Sequence, residues 1–352
     1  MAVTALNRPD FRTVSDFRKR HLPALGALFV QVLKLCQAAG LVKLGHVALD
    51  GTKVQANASK HKAMSYGRMR EAERKLAAEV NGWFGHAAAA DAAEDRTFGL
   101  ERRGDELPDW VKDKAARLDK IRAAKAALEA EAKAPPPDPD GNGPGPSSGM
   151  MKSGRPQRAP DGTPPERAQR NFTDPDSRLQ PFKGGVIQGY NGQIAVDGAH
   201  QVIVAQRLVT TAADYPALVP LIASIRVTFR RNPDEVSADA GFANEANLAA
   251  LARRRIAAYL APGRPRHGQT PGAGGRKIKP GSRLAAMARK LRCAGRRSRY
   301  RLRKQIVEPV FGQIKAARGF RQFLLRGLDN VKGEWAMLCT AHNLLKFANA
   351  KV

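Results

Sequence analysis

The chain has 352 residues, a formal net charge of +28 and a pI near 10.7, a balance typical of proteins that bind an anionic polymer such as nucleic acid. No apolar run reaches the roughly 18 residues of a membrane span, and the N-terminus has no signal-peptide pattern, so we predict neither a membrane protein nor a secreted one. The cysteines Cys36, Cys293 and Cys339 lie far apart without zinc spacing, which indicates a reducing, cytoplasmic compartment.

The positive charge is concentrated in the last third of the chain. From Arg226 to Val352 there are 28 Lys and Arg against 7 Asp and Glu, an excess of 21. Residues 276–304 hold thirteen of these cations, and no Asp or Glu stands between Glu245 and Glu308. A solvated basic face is the alternative, but a run this dense favours a surface that binds polyanions.

Two elements are predicted near the N-terminus. Apolar residues recur at helical spacing over 22–39, and Gly40 ends this helix. The stretch GHVALDGT, 45–52, predicts a short apolar strand that ends on Asp50 and is followed by a turn. Residues 1–44 are therefore predicted to form a helical region ahead of an α/β domain over 45–352.

A long insertion follows the first strand. Residues 63–84 and 108–133 are rich in Ala, Arg, Lys and Glu and predict a helical hairpin, within an insertion over 63–133. The Pro- and Gly-rich segment 134–170 has too little apolar surface to form a core, so we predict a disordered linker there. Asp174 and Asp176, just beyond it, are typical of a turn.

After the linker the pattern becomes that of a mixed α/β core. Two β-rich runs flank Asp197-Gly198, which predicts a hairpin with a structural Asp197. The later predicted elements are a helix over 215–226, a strand that Asp239 closes, a helix, a strand over 256–260, a basic loop over 262–282, a helix around Glu308 that Pro309 begins or kinks, and a helix over 335–348.

Three carboxylates are candidates for chemistry on phosphodiesters. Asp50 and Asp239 each close an apolar strand before a glycine-containing turn, and Glu308 lies on a helix within the basic region. Strand ends are common positions for catalytic groups, and two divalent metals about 3.5–4 Å apart, held by a few carboxylates, suit phosphoryl transfer. Each residue also has a simpler explanation: an Asp before Gly is a common turn former, and an isolated Glu is usually an ion-pair partner.

Five stretches, in this order, closely resemble the DDE-type transposases of bacterial insertion sequences. They are VALDGTKVQANASKHKAMSY, NFTDPDSR, GYNGQIAVDGAHQVIVA, VSADAGF and YRLRKQIVEPVFGQIK. The resemblance extends from about residue 10 to about residue 348 and weakens through the insertion.

The resemblance implies a fold, a site and a reaction. It implies a ribonuclease H-like mixed sheet flanked by helices, with a catalytic triad of Asp50, Asp239 and Glu308 that binds two Mg²⁺, for which Mn²⁺ substitutes. Water and then a freed 3′-hydroxyl would attack phosphodiesters of duplex DNA at transposon ends, on a homo-oligomer of the protein. The expected DNA-binding residues are Arg296, Arg297, Arg299, Tyr300, Arg303, Lys304 and Lys315.

Two departures from the family pattern leave alternatives open. The family's signature around the third acidic residue has a Tyr, an Arg, the Glu and a Lys, which Tyr300, Arg303, Glu308 and Lys315 match. Four residues separate Arg303 from Glu308 where many relatives have three, so Lys304 is an alternative for the basic position of the signature. Only about 45 residues precede the first strand, which predicts an N-terminally truncated copy or a misassigned start. The rival functions are a DNA-binding remnant without turnover and a non-transposing nuclease of the same fold.

Overall fold

The computed structural model describes residues 10–98, 109–133, 162–182, 185–263 and 278–350. The chain divides into two compact units, one formed by residues 1–58, 137–142 and 179–352 and the other by residues 59–136 and 143–178. None of the helices in the described ranges is long and apolar enough to cross a membrane.

The first unit is built from a mixed sheet and its flanking helices. Its strands are β1 (His46–Gln55), β4 (Arg178–Phe182), β5 (Gly185–Asp197), β6 (Ile203–Val209), β7 (Glu235–Ala238) and β8 (Ala257–Leu260). Its helices are α1 (Phe11–Arg20), α2 (Leu22–Ala38), α5 (Leu218–Phe229), α6 (Glu245–Arg253), α7 (Arg283–Lys290), α8 (Ala294–Gly312) and α9 (Leu328–Ala348). The second unit contains the strands β2 (Ala63–Ser65) and β3 (Gln169–Asn171) and the helices α3 (Tyr66–Phe98) and α4 (Asp109–Lys133).

The sheet has the strand order of a ribonuclease H-like core. Within the described residues the path is β4-β5-β1-β7-β8, and β6 also pairs with β5. Strand β5 is antiparallel to both β1 and β6, whereas β1, β7 and β8 are parallel to one another. The predicted fold class, a mixed sheet flanked by helices with an insertion after the first strand, is therefore confirmed.

Strand β1 is longer than its sequence predicts. The Asp50-Gly51 pair was expected to begin a turn, but β1 continues to Gln55 and remains paired with β5 along that length. Gly51 lies opposite Gln193, and a Cβ on Gly51 would come within 2.4 Å of Gln193 Nε2. The turn prediction is wrong because pairing with a neighbouring strand outweighs the local preference of Asp-Gly for a turn.

The core of the first unit lies on both faces of this sheet. Helix α2 contributes Phe29, Val32 and Leu33 to the same apolar cluster as the strands, and it packs against α9. Helix α5 packs on β6, and α6 packs on β8. Helix α8 crosses β1, β7 and β8 with Val307 and Val310 fully buried, so the basic helix is held against the sheet by its apolar side.

The C-terminal helices differ in extent from their prediction. Pro309 does not begin α8 but lies inside it, and a π-helical turn follows at Gln313–Ala317. The described part of the predicted basic loop over 262–282 ends at Ser282, whose hydroxyl caps α7, a helix that the sequence pattern missed. Helix α9 begins seven residues earlier than predicted, at Leu328. The other predicted helices and strands of the first unit are present.

The hairpin between β5 and β6 confirms a structural role for Asp197. Its carboxylate accepts hydrogen bonds from the backbone N–H groups of Lys43, Leu44 and Ala199, and the residue is fully buried. The turn is wider than Asp197-Gly198 predicts, because it runs over residues 198–202.

The second unit contains the helical part of the insertion. Helices α3 (Tyr66–Phe98) and α4 (Asp109–Lys133) pack together, and β2 (Ala63–Ser65) pairs with β3 (Gln169–Asn171). Residues 162–170 are not a disordered linker as predicted, because they contain part of β3 and the buried Ala168; residues 134–161 lie outside the described ranges. The expected turn at Asp174 is confirmed: Asn171 Oδ1 accepts from the N–H of Thr173 and of Asp174.

Candidate functional site

Asp50 and Asp239 follow the last paired residues of two neighbouring parallel strands. Leu49 of β1 pairs with Ala238 of β7, and Asp50 and Asp239 come directly after these two residues. Neighbouring strands lie about 4.8 Å apart, so this register brings the two backbones side by side although they are distant in sequence. Local backbone N–H groups orient both carboxylates: Gly51 donates to Asp50 Oδ1 at 2.8 Å, and Gly241 donates to Asp239 Oδ1 at 2.9 Å.

The surroundings of Asp50 disfavour its ionised form. Burial raises the pKa of Asp50 to about 6, Arg303 opposes this rise, and the negative charges of Asp239 and Asp214 add to it. A carboxylate with other carboxylates close by and little water is stabilised by a cation. The electrostatics therefore join Asp50, Asp239 and Asp214 into one acidic group that a positive ligand would stabilise.

Arg303 and Tyr300 of α8 reach this acidic group. The Arg303 guanidinium donates a hydrogen bond to Asp50 Oδ2, and both side chains are mostly buried. Burial raises the pKa of the Tyr300 hydroxyl, Arg303 lowers it, and Asp239 and Asp50 raise it further. Two of the predicted DNA-binding residues thus lie beside two of the predicted catalytic residues. Arg303, not Lys304, is the basic residue that contacts Asp50, and Lys304 is exposed.

Lys315 lies on the π-helical turn and is bound to the first strand. Its ammonium donates to the backbone carbonyl of Lys53 at 2.8 Å, and burial lowers its pKa. Single π turns inside or next to α-helices are frequent at functional sites, because they displace a side chain from its regular helical position. The turn here directs Lys315 back towards β1.

The remaining predicted residues lie on the outer side or at the start of α8. Glu308 is exposed, as are Arg296 and Arg299. Arg299 Nη1 lies 3.4 Å from Glu235 Oε2, at the beginning of β7 and thus at the opposite end of that strand from Asp239. Arg297 donates to the backbone carbonyls of Leu291 and Arg292. These arginines form a basic surface along the first turns of α8.

The donor set fits a hard divalent cation such as Mg²⁺. Mg²⁺ is commonly held by one or two carboxylates together with water and substrate phosphates, so Asp50 and Asp239 suffice as protein ligands at this edge. Over residues 10–98, 109–133, 162–182, 185–263 and 278–350, however, no three His, Cys, Asp or Glu side chains are grouped so as to hold a metal ion. Glu308 is therefore not assembled with the two aspartates into such a group.

Sequence reasoning missed Asp214 and Lys53. Asp214 follows β6 in the segment TAADYP, and Lys53 stands three residues after Asp50 in the segment LDGTK. Lys53 Nζ lies 3.3 Å from Asp214 Oδ1. Asp214 stands five residues past the end of β6 and Lys53 lies within β1, so neither residue closes a strand and the strand-end criterion does not find them.

Comparison with known proteins identifies the family of the chain. A family model described as "Transposase DDE domain" matches residues 162–344, about half of the chain, a range that includes Asp239 and Glu308. No curated protein and no solved structure gives a significant match. Members of such a family bind DNA, use divalent metal ions and act as nucleases and strand transferases. Because this family model matches more than half of the chain, the chain belongs to the DDE transposases, and its ribonuclease H-like sheet is consistent with that family.

Proposed function

We propose that this protein cleaves duplex DNA at the ends of an insertion sequence and joins the freed strand to a target, in a Mg²⁺-dependent reaction. The observation that carries the proposal is the position of Asp50 and Asp239, one residue past the paired Leu49 and Ala238 on adjacent parallel strands. Two carboxylates on adjacent strands would supply the oxygen ligands that metal-dependent phosphoryl transfer needs.

Asp50 and Asp239 would hold the metal, and Glu308 is proposed as a third acidic residue that approaches when DNA is bound. A divalent metal supplies charge stabilisation and an activated oxygen nucleophile. The protein supplies orientation: the N–H groups of Gly51 and Gly241 hold each carboxylate in place, so that the oxygens are preorganised before the metal binds.

Arg303 is suited to contact a phosphate of the DNA. Its Nε–H is buried and has no hydrogen-bond acceptor among the described residues, although its Nη1 is bound to Asp50. A guanidinium can bind a phosphate through two parallel hydrogen bonds. Tyr300 lies beside it, and the exposed Arg296, Arg299 and Lys304 would contact phosphates further along the duplex.

One observation favours a second candidate function, that of a DNA-binding remnant without turnover. In the described residues no three His, Cys, Asp or Glu side chains are grouped so as to hold a metal ion, and Arg303 already forms an ion pair with Asp50. A basic helix on such a core would bind duplex DNA and never cut it. A non-transposing nuclease of the same fold is the third candidate function, and the joining assay below distinguishes it from a transposase.

Cleavage and joining on labelled duplexes test these functions. The substrate carries the sequence that flanks the gene, with Mg²⁺ or Mn²⁺ added and EDTA as the metal-free control. A transposase yields nicked ends and joined products, a nuclease yields nicked ends without joining, and a remnant yields a shifted band without cleavage. Asp50→Asn and Asp239→Asn should abolish cleavage and leave duplex binding in place. Cleavage at the wild-type rate by either variant would remove that residue from the site.

Mn²⁺ support of the reaction and assembly of several copies on DNA remain predictions that follow from the resemblance, and a cytoplasmic location remains a prediction that follows from the cysteine pattern. Sedimentation of the protein with and without an end duplex would test the assembly.

A further inference from the structure

Lys53 is a partly buried cation inside an acidic group. Its ammonium donates to the carbonyl of Ala212 at 2.8 Å and lies 3.3 Å from Asp214 Oδ1, and only 16% of its side chain is exposed. Burial lowers the pKa of Lys53, and the negative charges of Asp214, Asp239 and Asp50 oppose this. The lysine is thus largely shielded from water, and its charge acts on all three aspartates.

Asp214 is fixed by hydrogen bonds from two side chains of β5. Besides Lys53, its Oδ1 accepts from Asn191 Nδ2 at 2.8 Å and from Gln193 Nε2 at 2.6 Å. Asn191 and Gln193 are both fully buried on β5, so these amides cannot turn away to water. The carboxylate therefore has one orientation, and it fixes the position of the lysine ammonium in turn.

Two glycines allow Asp214 to stand this close to the catalytic aspartates. A Cβ on Gly241 would lie 2.8 Å from Asp214 Oδ2 and 3.0 Å from Asp239 Oδ1, so both carboxylates approach the same point. A Cβ on Gly51 would lie 2.8 Å from Asp214 Oδ1. The glycines after Asp50 and Asp239 thus make room for a carboxylate, which explains their presence better than a turn does.

The backbone of Lys53 also contacts a residue of the proposed site, Lys315. Its carbonyl accepts the hydrogen bond of Lys315 Nζ, which joins β1 to the turn after α8. Two of the three N–H groups of the Lys53 ammonium are used by Ala212 and Asp214, and the described hydrogen bonds leave the third for another acceptor.

We propose that Lys53 and Asp214 are further residues of the same site: Asp214 positions the Lys53 ammonium beside Asp50 and Asp239, where it donates to a phosphate oxygen of the DNA and moderates the affinity of the two aspartates for a divalent cation. This inference rests on the proposed function, since it assigns two more residues to that reaction. It requires that the two residues act in opposite directions on cation binding.

Removal of the lysine charge should tighten cation binding. Lys53→Met takes away a positive charge that repels the metal, so Mn²⁺, titrated by calorimetry or by the loss of its free EPR signal, should bind about five-fold more tightly at low ionic strength. Lys53→Arg should remain near the wild type because it keeps the charge. Arg231→Met is the matched control: it removes one positive charge from an exposed pair with Asp234, near the opposite end of β7 from Asp239.

Removal of the Asp214 charge should weaken cation binding through the lysine. In Asp214→Asn the ammonium is no longer held back and moves towards Asp50 and Asp239, so Mn²⁺ should bind about five-fold less tightly. In the Lys53→Met background the same change removes only the charge of Asp214 itself, so the weakening of Mn²⁺ binding should be clearly smaller than in the wild-type background. Equal weakening in both backgrounds would mean that Asp214 acts directly on the metal and would overturn the positioning role.

Cleavage supplies the second readout. Lys53→Met should slow strand cleavage about 100-fold or more, while the Kd for duplex changes less than about three-fold, because one phosphate contact among many is lost. Should the methionine variant fail to fold, Lys53→Gln retains a donor for Ala212 and is expected to give the same two shifts. An unchanged Mn²⁺ Kd or an unchanged cleavage rate in a folded Lys53 variant would overturn the proposal.

The Asp50→Asn variant separates the two possible failures. Wild-type Mn²⁺ binding that disappears in Asp50→Asn but is unaffected by Lys53→Met contradicts the inference about Lys53 and leaves the proposed function in place. Absence of any Mn²⁺ binding that depends on Asp50 contradicts both.

Discussion

The guanidinium of Arg303 on α8 donates a hydrogen bond to the carboxylate of Asp50 on β1, across 253 positions of sequence. Only 12% of the Arg303 side chain and 18% of the Asp50 side chain are exposed, so the pair is largely shielded from water. This ion pair connects the strand that carries the first aspartate to the helix that carries the basic surface and Glu308.

The ion pair predicts non-additive effects on stability. Arg303→Gln leaves the Asp50 charge largely buried without its partner and should lower the free energy of unfolding by about 2 kcal/mol or more. In the Asp50→Asn background the same change should cost less, with a coupling of about 1–3 kcal/mol between the two sites. Urea unfolding of the four proteins gives this coupling directly, and strictly additive losses would show that the pair does not form in solution.

Glu308 is predicted to matter for cleavage and not for folding. The residue is exposed, and Glu308→Gln should change the free energy of unfolding by no more than about 0.5 kcal/mol. Strand cleavage should nevertheless fall about 100-fold or more, because a ligand charge is lost in the assembled complex. Asp329→Asn, at an exposed carboxylate on α9, is the control and should cleave normally. Wild-type cleavage by Glu308→Gln would exclude the glutamate from the site.

The first turns of α8 are predicted to set the salt dependence of DNA binding. Neutralisation of Arg296, Arg297 and Arg299 together should reduce the slope of log K against log salt by about 2–3 units if all three contact phosphate, at about 0.9 per contact. Because Arg297 also binds the carbonyls of Leu291 and Arg292, its substitution should in addition loosen the start of α8. Arg231→Gln should leave the slope as it is. A triple variant with the wild-type slope would show that this segment does not lie along the DNA.

His342 is predicted to make the fold acid-sensitive. Burial lowers its pKa to about 4, with Lys346 and Arg318 adding to the effect, while its hydrogen bond to the Gln201 carbonyl opposes it. The ordinary histidine pKa is about 6.5, so the unfolded chain takes up a proton first, and stability present above pH 6.5 is lost as the pH falls towards 4. From this residue alone we expect a loss of about 3 kcal/mol between pH 7 and pH 4.

His342→Gln is the variant that isolates this effect, because its amide can still donate to the Gln201 carbonyl. Its unfolding free energy should fall less steeply between pH 7 and pH 4 than that of the wild type, measured by urea denaturation at each pH. Parallel curves for the two proteins would contradict the assignment to His342.

The sequence by itself determined the class of core and the principal acidic residues. Helical and strand periodicities placed α2, β7 and β8 close to their observed bounds, since each is an apolar segment whose burial pattern repeats locally. Asp239 was placed correctly at the end of its strand because the turn chemistry of ADAG is local too. The concentration of Arg and Lys over 276–304 likewise indicated the basic character of α8 without any knowledge of the fold.

Only the tertiary structure decided which of these residues meet. Asp50 looked like the end of a strand, but pairing with β5 carries β1 past it, and strand pairing depends on residues more than a hundred positions away. Asp214 and Lys53 gave no local signal of function, because what marks them is the approach of β5, β7 and two glycines from different parts of the chain. Local preference fixes elements within a few residues, whereas the energy of a buried carboxylate depends on every charge that the fold brings beside it.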